Sequence, residues 1–120
     1  MKLPVSAYTN GAVVNIDFPF REDSSRSKYR PAVVIGFDEN CTFVVLLQVT
    51  SHSPRTSFDY IIQDYDMAGL NEGSVIRCNN VYKINNSALC TKRGDLSRRD
   101  LIRISLLYEQ AVKSNNIILY

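Results

Sequence analysis

The chain has 120 residues, of which 45% are hydrophobic and 22% charged, a balance typical of one globular domain with its own core. The net charge of +2 neither requires nor excludes a nucleic-acid partner. The chain has three cysteines without a CxxC spacing, which argues against a disulfide framework. It has a single histidine, which argues against a metal centre. No apolar stretch reaches the roughly 20 residues of a membrane span. We therefore expect residues 1–120 to form one cytoplasmic domain with no metal, cofactor or membrane contact.

Six short segments rich in β-branched and aromatic residues predict strands. In AVVNIDF, the apolar side chains of Val14, Ile16 and Phe18 alternate with those of residues 13, 15 and 17. Pro19 ends this strand or puts it on an edge of the sheet. CTFVVLLQVT is a continuous apolar run, which suggests burial on both faces. The predicted strands cover residues 12–18, 31–37, 41–50, 57–63, 73–84 and 87–91.

One helix is predicted near the C-terminus. Ser97 and Asp100 form a capping box, in which the Ser97 hydroxyl accepts from the Asp100 N–H and the Asp100 carboxylate reaches back. Asn115 and Asn116 end the helix, and IILY follows as a short extended tail. The apolar stripe at helical spacing comprises Leu101, Ile104, Leu107, Tyr108, Ala111 and Val112. Short strands followed by one helix predict a mainly β fold, a strongly bent sheet or barrel with one helix packed on it.

A charged stretch separates the first two predicted strands. From the residues alone it is either a solvated hairpin loop or a lip that grips phosphate groups over an active site. The stretch is FPFREDSSRSKYRPAVV (18–34), with charges at Arg21, Glu22, Asp23, Arg26, Lys28 and Arg30.

Four blocks, in order from about Gly11 to Val112, resemble the PemK/MazF family of toxin ribonucleases. They are GAVVNIDFPF with the loop and KYRPAVVIG, LLQVTS (46–51), AGLNEGSVIRC (68–78) and GDLSRRDLIRI (94–104). The resemblance implies a small SH3-like β-barrel of the PemK/MazF/CcdB type with a C-terminal α-helix. It also implies a homodimer and a cognate antitoxin protein as partner.

The same resemblance implies sequence-specific, metal-independent cleavage of single-stranded RNA or mRNA. The ribose 2′-hydroxyl attacks the adjacent phosphate and leaves a 2′,3′-cyclic phosphate. Such a reaction needs a group that accepts the 2′-proton, a group that protonates the leaving oxygen, and cations or hydrogen-bond donors against the charge that grows on phosphorus.

The family motifs imply three catalytic residues. Arg30 stands in the Arg-Pro block, where a guanidinium can hold two phosphate oxygens; the alternative is a structural ion pair at a strand start. Thr50 stands in the Thr-Ser block and can bond a phosphate oxygen or orient Arg30, or it is simply a β-branched residue that ends a strand. Arg77 matches the Arg of an Arg-Cys-Asp run found in one branch of the family.

Asn79 departs from that run, because it stands where the branch has Asp. An amide cannot take up a proton, but it can bind a base or a phosphate, so we predict a substrate-binding role. Glu22 or Asp23 would supply the missing base. His52 matches no family motif and is interpreted as incidental. The other predicted substrate-binding residues are Arg21, Arg26, Lys28 and Ser51.

Two other functions compete with the ribonuclease. One is a non-catalytic binding module of the same fold, such as a CcdB-like gyrase poison, which Asn79 mildly favours. Arg30 and Thr50 favour the ribonuclease, because a gyrase poison needs neither. The other is a structural or regulatory partner that only dimerises, which predicts no effect on RNA.

Overall fold

A computed structural model of the chain describes residues 10–17, 29–38, 40 and 42–120. Strands dominate these residues, and the longest helix comes near the C-terminus. The elements in chain order are β1 (Ala12–Asp17), β2 (Tyr29–Phe37), β3 (Phe43–Thr50), β4 (Asp59–Ile61), α1 (Tyr65–Ala68), β5 (Val75–Asn85), a 3₁₀ turn (Asn86–Ala88), β6 (Leu89–Asp95), α2 (Arg98–Lys113) and β7 (Ile118–Leu119).

The strands form one seven-stranded sheet in the order β4-β5-β3-β2-β1-β6, and β7 pairs with β5. All pairings are antiparallel except that of β7 with β5. Among the described residues the end strands β4 and β6 are not paired with each other, so hydrogen bonds do not close the sheet into a barrel. The predicted mainly β architecture with a C-terminal helix is confirmed, with an open sheet.

The sheet buries apolar side chains on both faces. On β3, Val44 and Leu46 belong to one core cluster, whereas Leu47 and Val49 belong to the other. The predicted burial of this strand on both faces is therefore confirmed. The cluster that contains Leu47 and Val49 also contains Ile104 of α2, so the helix covers that face of the sheet.

Helix α2 begins largely as predicted. The Ser97 hydroxyl accepts from the Asp100 N–H at 3.3 Å. The Asp100 carboxylate does not reach back to the cap; it is fully buried and accepts bonds from β4 and from the segment between β4 and α1. The predicted stripe packs on the core except for Val112, which is 50% exposed and was wrongly included.

The helix ends where the two asparagines were expected to end it. Asn115 adopts a left-handed conformation with φ 59°, which Asn tolerates better than most residues. The N–H groups of Asn115 and Asn116 donate to the carbonyls of Val112 and Ala111, which caps the helix. The tail that follows is extended, as predicted, and forms β7. No helix in the described part of the chain is long and apolar enough to cross a membrane.

Candidate active site

A cavity of about 480 Å³ opens where β2, β3 and β5 meet the segments after β3 and α1. Polar and cationic side chains dominate its lining. In the described part of the chain, four arginines reach the cavity and neither Asp nor Glu lines it. The cationic and polar lining residues are Arg30, Arg55, Arg77, Arg93, Gln48, Thr50, Ser51, His52, Asn71 and Ser74.

The strand register explains how three predicted residues come together. Ala32 of β2 pairs with Gln48 of β3, and continuing that antiparallel register by two residues places Arg30 opposite Thr50. Gln48 pairs on its other side with Arg77 of β5. Cross-strand partners share a face of the sheet, so these side chains lie together at the polar end of an apolar strand face.

Thr50 is oriented by a local turn. The His52 N–H donates to Thr50 Oγ1 at 3.2 Å, so the hydroxyl oxygen already serves as an acceptor. The hydroxyl proton is therefore left to donate, and a phosphate oxygen is a suitable acceptor for it. The same turn brings Ser51 and His52 to the cavity. His52, interpreted from the sequence as incidental, thus lines the same cavity as Arg30, Thr50 and Arg77.

Arg77 has an incomplete set of contacts. Its Nε atom is buried and has no hydrogen-bond partner among the described residues. Buried polar groups in folded proteins are nearly always paired, so an unpaired one calls for an explanation. An anion bound in the cavity would supply the missing acceptor.

Two further arginines were not predicted from the sequence. Arg55 lies in the segment between β3 and β4 and is exposed. Arg93 of β6 is held in place, because its Nε donates to the Gly69 carbonyl at 3.0 Å and its Nη1 to Asn15 Oδ1 at 3.3 Å. Neither belongs to a family motif, and only the folded sheet brings them to the cavity.

Asn79 is not among the residues that line the cavity. It is buried, and its Nδ2 donates to the Asn116 carbonyl at 3.2 Å, which ties β5 to the C-terminal segment. The neighbouring Asn80 contacts the cavity indirectly, because its Nδ2 donates to Gln48 Oε1 at 2.8 Å. The predicted loop residues lie outside the described residues: Arg21, Glu22, Asp23, Arg26 and Lys28.

Cys78, next to Arg77, is not suited to nucleophilic chemistry. Burial, with a smaller contribution from the Asp59 carboxylate, raises the pKa of its thiol to about 12. The thiol is therefore protonated at neutral pH and packs as a small apolar group. Within the described ranges, no group of three or more His, Cys, Asp and Glu side chains could hold a metal ion.

The family model described as PemK-like, MazF-like toxin of type II toxin–antitoxin system matches residues 9–107. A comparison with curated proteins found no match.

Solved structures share the fold at low sequence identity. An endoribonuclease in complex with its cognate antitoxin from a mycobacterial species has a TM-score of 0.71 at 12% identity, covering 88% of this chain and 95% of that one. MazE-MazF from Deinococcus radiodurans has a TM-score of 0.71 at 14% identity, covering 88% and 96%. The Mycobacterium tuberculosis toxin MazF-mt6 has a TM-score of 0.67 at 18% identity, covering 85% and 96%.

Proposed function

Because the chain belongs to the PemK-like, MazF-like toxins of type II toxin–antitoxin systems, we propose that it cleaves single-stranded RNA without a metal ion. The observation that carries the proposal is the cavity in which Arg30, Thr50 and Arg77 meet. Four arginines and no carboxylate in its described lining make it a site for a polyanion.

In the proposed reaction the scissile phosphate lies between Arg30 and Arg77. The two guanidinium groups hold its non-bridging oxygens and offset the charge that develops as the 2′-hydroxyl attacks. The Thr50 hydroxyl donates a hydrogen bond to a phosphate oxygen, and Ser51 binds the substrate beside it. The bond from phosphorus to the 5′-oxygen breaks, and that oxygen takes a proton from water, so the products are a 2′,3′-cyclic phosphate and a free 5′-hydroxyl.

The proton acceptor is proposed to be a carboxylate of the loop, Glu22 or Asp23. Arg21, Arg26 and Lys28 of the same loop are proposed to contact the RNA backbone. His52 is the second candidate acceptor, because it lines the cavity and an imidazole nitrogen can accept a proton. The hydrogen bond from Asn79 to the Asn116 carbonyl supports a structural role, in which Asn79 joins β5 to the C-terminal segment. This contact does not support the predicted role of Asn79 in substrate binding.

Cleavage of a long single-stranded RNA by the purified protein in excess EDTA tests this function. We expect discrete fragments that end in 2′,3′-cyclic phosphate, and no cleavage by Arg30→Ala. Arg98→Ala is the matched control, because it removes the same charge from the exposed start of α2. Circular dichroism checks that the variants are folded.

Cleavage by folded Arg30→Ala at the wild-type rate would contradict the role of Arg30. RNA left intact by the wild type would contradict the function itself, and inhibition of DNA gyrase would then be the next assay. That result would favour the CcdB-like binding module.

We also propose that residues 1–120 form one toxin domain that acts in the cytoplasm as a homodimer and is neutralised by an antitoxin protein. An antitoxin complex among the similar structures supports the last point. Sedimentation at micromolar concentration should give twice the chain mass of 13.6 kDa. A monomer under those conditions would contradict the dimer.

A further inference from the structure

Gln48 is a neutral side chain in a cavity otherwise rich in arginine. It is half-buried on β3 and pairs with Arg77 across the sheet. Its Oε1 accepts a hydrogen bond from Asn80 Nδ2 at 2.8 Å. Its own Nε2 donates to no described residue. Because the oxygen and nitrogen of a carboxamide occupy opposite corners of one plane, fixing the oxygen on Asn80 leaves the NH₂ group as the free end.

A bulge in β5 places Asn80 beside Gln48. Between the successive β3 residues Leu47 and Gln48, the paired position on β5 moves from Val81 to Arg77. The intervening residues leave the β3 ladder and find other partners: the Cys78 N–H donates to Phe58, and Asn80 pairs with β7. Asn80 is only 5% exposed, so its amide is a fixed support. Bulges of this kind re-aim side chains next to functional sites.

We infer that Gln48 is a specificity-determining residue, whose NH₂ group, held by Asn80, donates to a carbonyl oxygen on a base of the bound RNA. The inference rests on the proposed function. Arginines already match the phosphate charges, and a neutral amide adds no positive charge and cannot hold a phosphate with the bidentate fork of a guanidinium. Phosphates are also identical at every nucleotide and carry no sequence information, whereas the bases of single-stranded RNA are read at their edges.

The fixed direction of the amide predicts which bases fit. At the edge of the base where uracil carries O4 and guanine carries O6, a side chain that offers only donors pairs with either of these carbonyl oxygens. It leaves the amino groups of cytosine and adenine without an acceptor. We therefore expect uracil or guanine, the keto bases, at one position of the cleaved sequence.

Asn80→Asp tests the inference, because a carboxylate can only accept a hydrogen bond. It would hold the Gln48 NH₂ group and turn the Gln48 carbonyl toward the RNA. Sequencing of cleavage ends from a random RNA pool should show the preference at one position move from keto to amino bases by about tenfold or more. Asn85→Asp is the control: it lies on the same strand, and a carboxylate keeps the bond that Asn85 Oδ1 accepts from the Ser87 N–H.

Gln48→Met keeps the length of the side chain without the donor, and it decides the matter should Asn80→Asp fail to fold. It should lose the preference at that single position and keep the preferences elsewhere. Unchanged base preferences in the folded variants would overturn the inference, as would an equal slowing at all sites. RNA left intact by the wild type would instead overturn the proposed function, and the inference with it.

Discussion

Arg77 combines a structural cost with a proposed role. The described structure leaves its buried Nε without an acceptor. A buried donor without a partner typically costs about 1–3 kcal/mol, and a guanidinium cannot lose its charge to escape that cost. Such a cost makes sense where a bound phosphate supplies the partner, because proteins often trade stability for function at their sites.

We expect Arg77→Met to raise the melting temperature while it lowers RNA cleavage by about a hundredfold or more. Methionine keeps the apolar stem of the side chain and removes the unpaired group. Arg55→Met is the comparison, because Arg55 lines the same cavity but is exposed, so its loss should leave stability unchanged. Calorimetry and the RNA assay measure the two effects. Lower stability together with full cleavage would contradict this account of Arg77.

The sequence predicted the residues that sit in continuous motifs. Arg30, Thr50 and Arg77 converge because strand register carries motif positions into one place. Arg93 was not predicted, since it reaches the cavity from β6 at the far end of the sheet order. The contacts of Asn79 were not foreseen either, because they depend on a bulge that changes which side chains of β5 face the cavity.

At the scale of elements, the start of α2 organises its neighbours. The buried Asp100 carboxylate accepts from the Tyr60 hydroxyl at 2.6 Å and from the N–H groups of Gln63 and Asp64 at 3.2 and 2.9 Å. Burial and the bond to Asp100 raise the pKa of Tyr60 well above its ordinary value, so this donor persists into alkaline pH. The exposed Arg99 guanidinium pairs with the Asp64 carboxylate at 2.7 Å and lowers the pKa of Asp64 to about 2.

We expect Asp100→Ala to lower the free energy of unfolding by about 3 kcal/mol or more, because it strands a phenol and two backbone donors at once. Tyr60→Phe removes one of these bonds and should cost about 1–2 kcal/mol. Glu109→Ala breaks only an exposed pair with Lys113 on the same helix and should cost less than about 0.5 kcal/mol. Urea denaturation gives all three values, and equal losses for the three variants would refute the ranking.

Most elements could be predicted from local pattern. Alternation marks β1, a continuous apolar run marks β3 and the Ser97 cap marks the start of α2. In contrast, α1 has only four residues, too few for a helical period to be visible. The role of Asp100 was also missed, since a capping box is a local motif and its real partners lie 36 to 40 residues away.

At the scale of the whole molecule, α1 lies against β6 where the sheet is open. Two glycines permit this contact. A Cβ atom on Gly94 would lie 2.2 Å from the Met67 carbonyl oxygen, and one on Gly69, where φ is +67°, would lie 2.3 Å from the Arg93 carbonyl oxygen. The backbones of α1 and β6 therefore meet directly, and the contact connects the β4 side of the sheet to its β6 edge.

We expect Gly94→Ala to destabilise the protein by about 3 kcal/mol or more, because the methyl group would meet backbone atoms that cannot move aside as a flexible side chain can. The same contact positions the Arg93 side chain in the cavity, because Arg93 Nε donates to the Gly69 carbonyl. RNA affinity should therefore fall in any fraction of Gly94→Ala that stays folded. Gly36→Ala is the control, since a Cβ there meets nothing within 4 Å and should change stability little. Thermal denaturation of the two variants measures the difference in stability, and RNA binding by the folded fraction measures the loss of affinity. Equal melting temperatures would mean that α1 and β6 can part without loss, and the contact would then not hold the two sides of the sheet together.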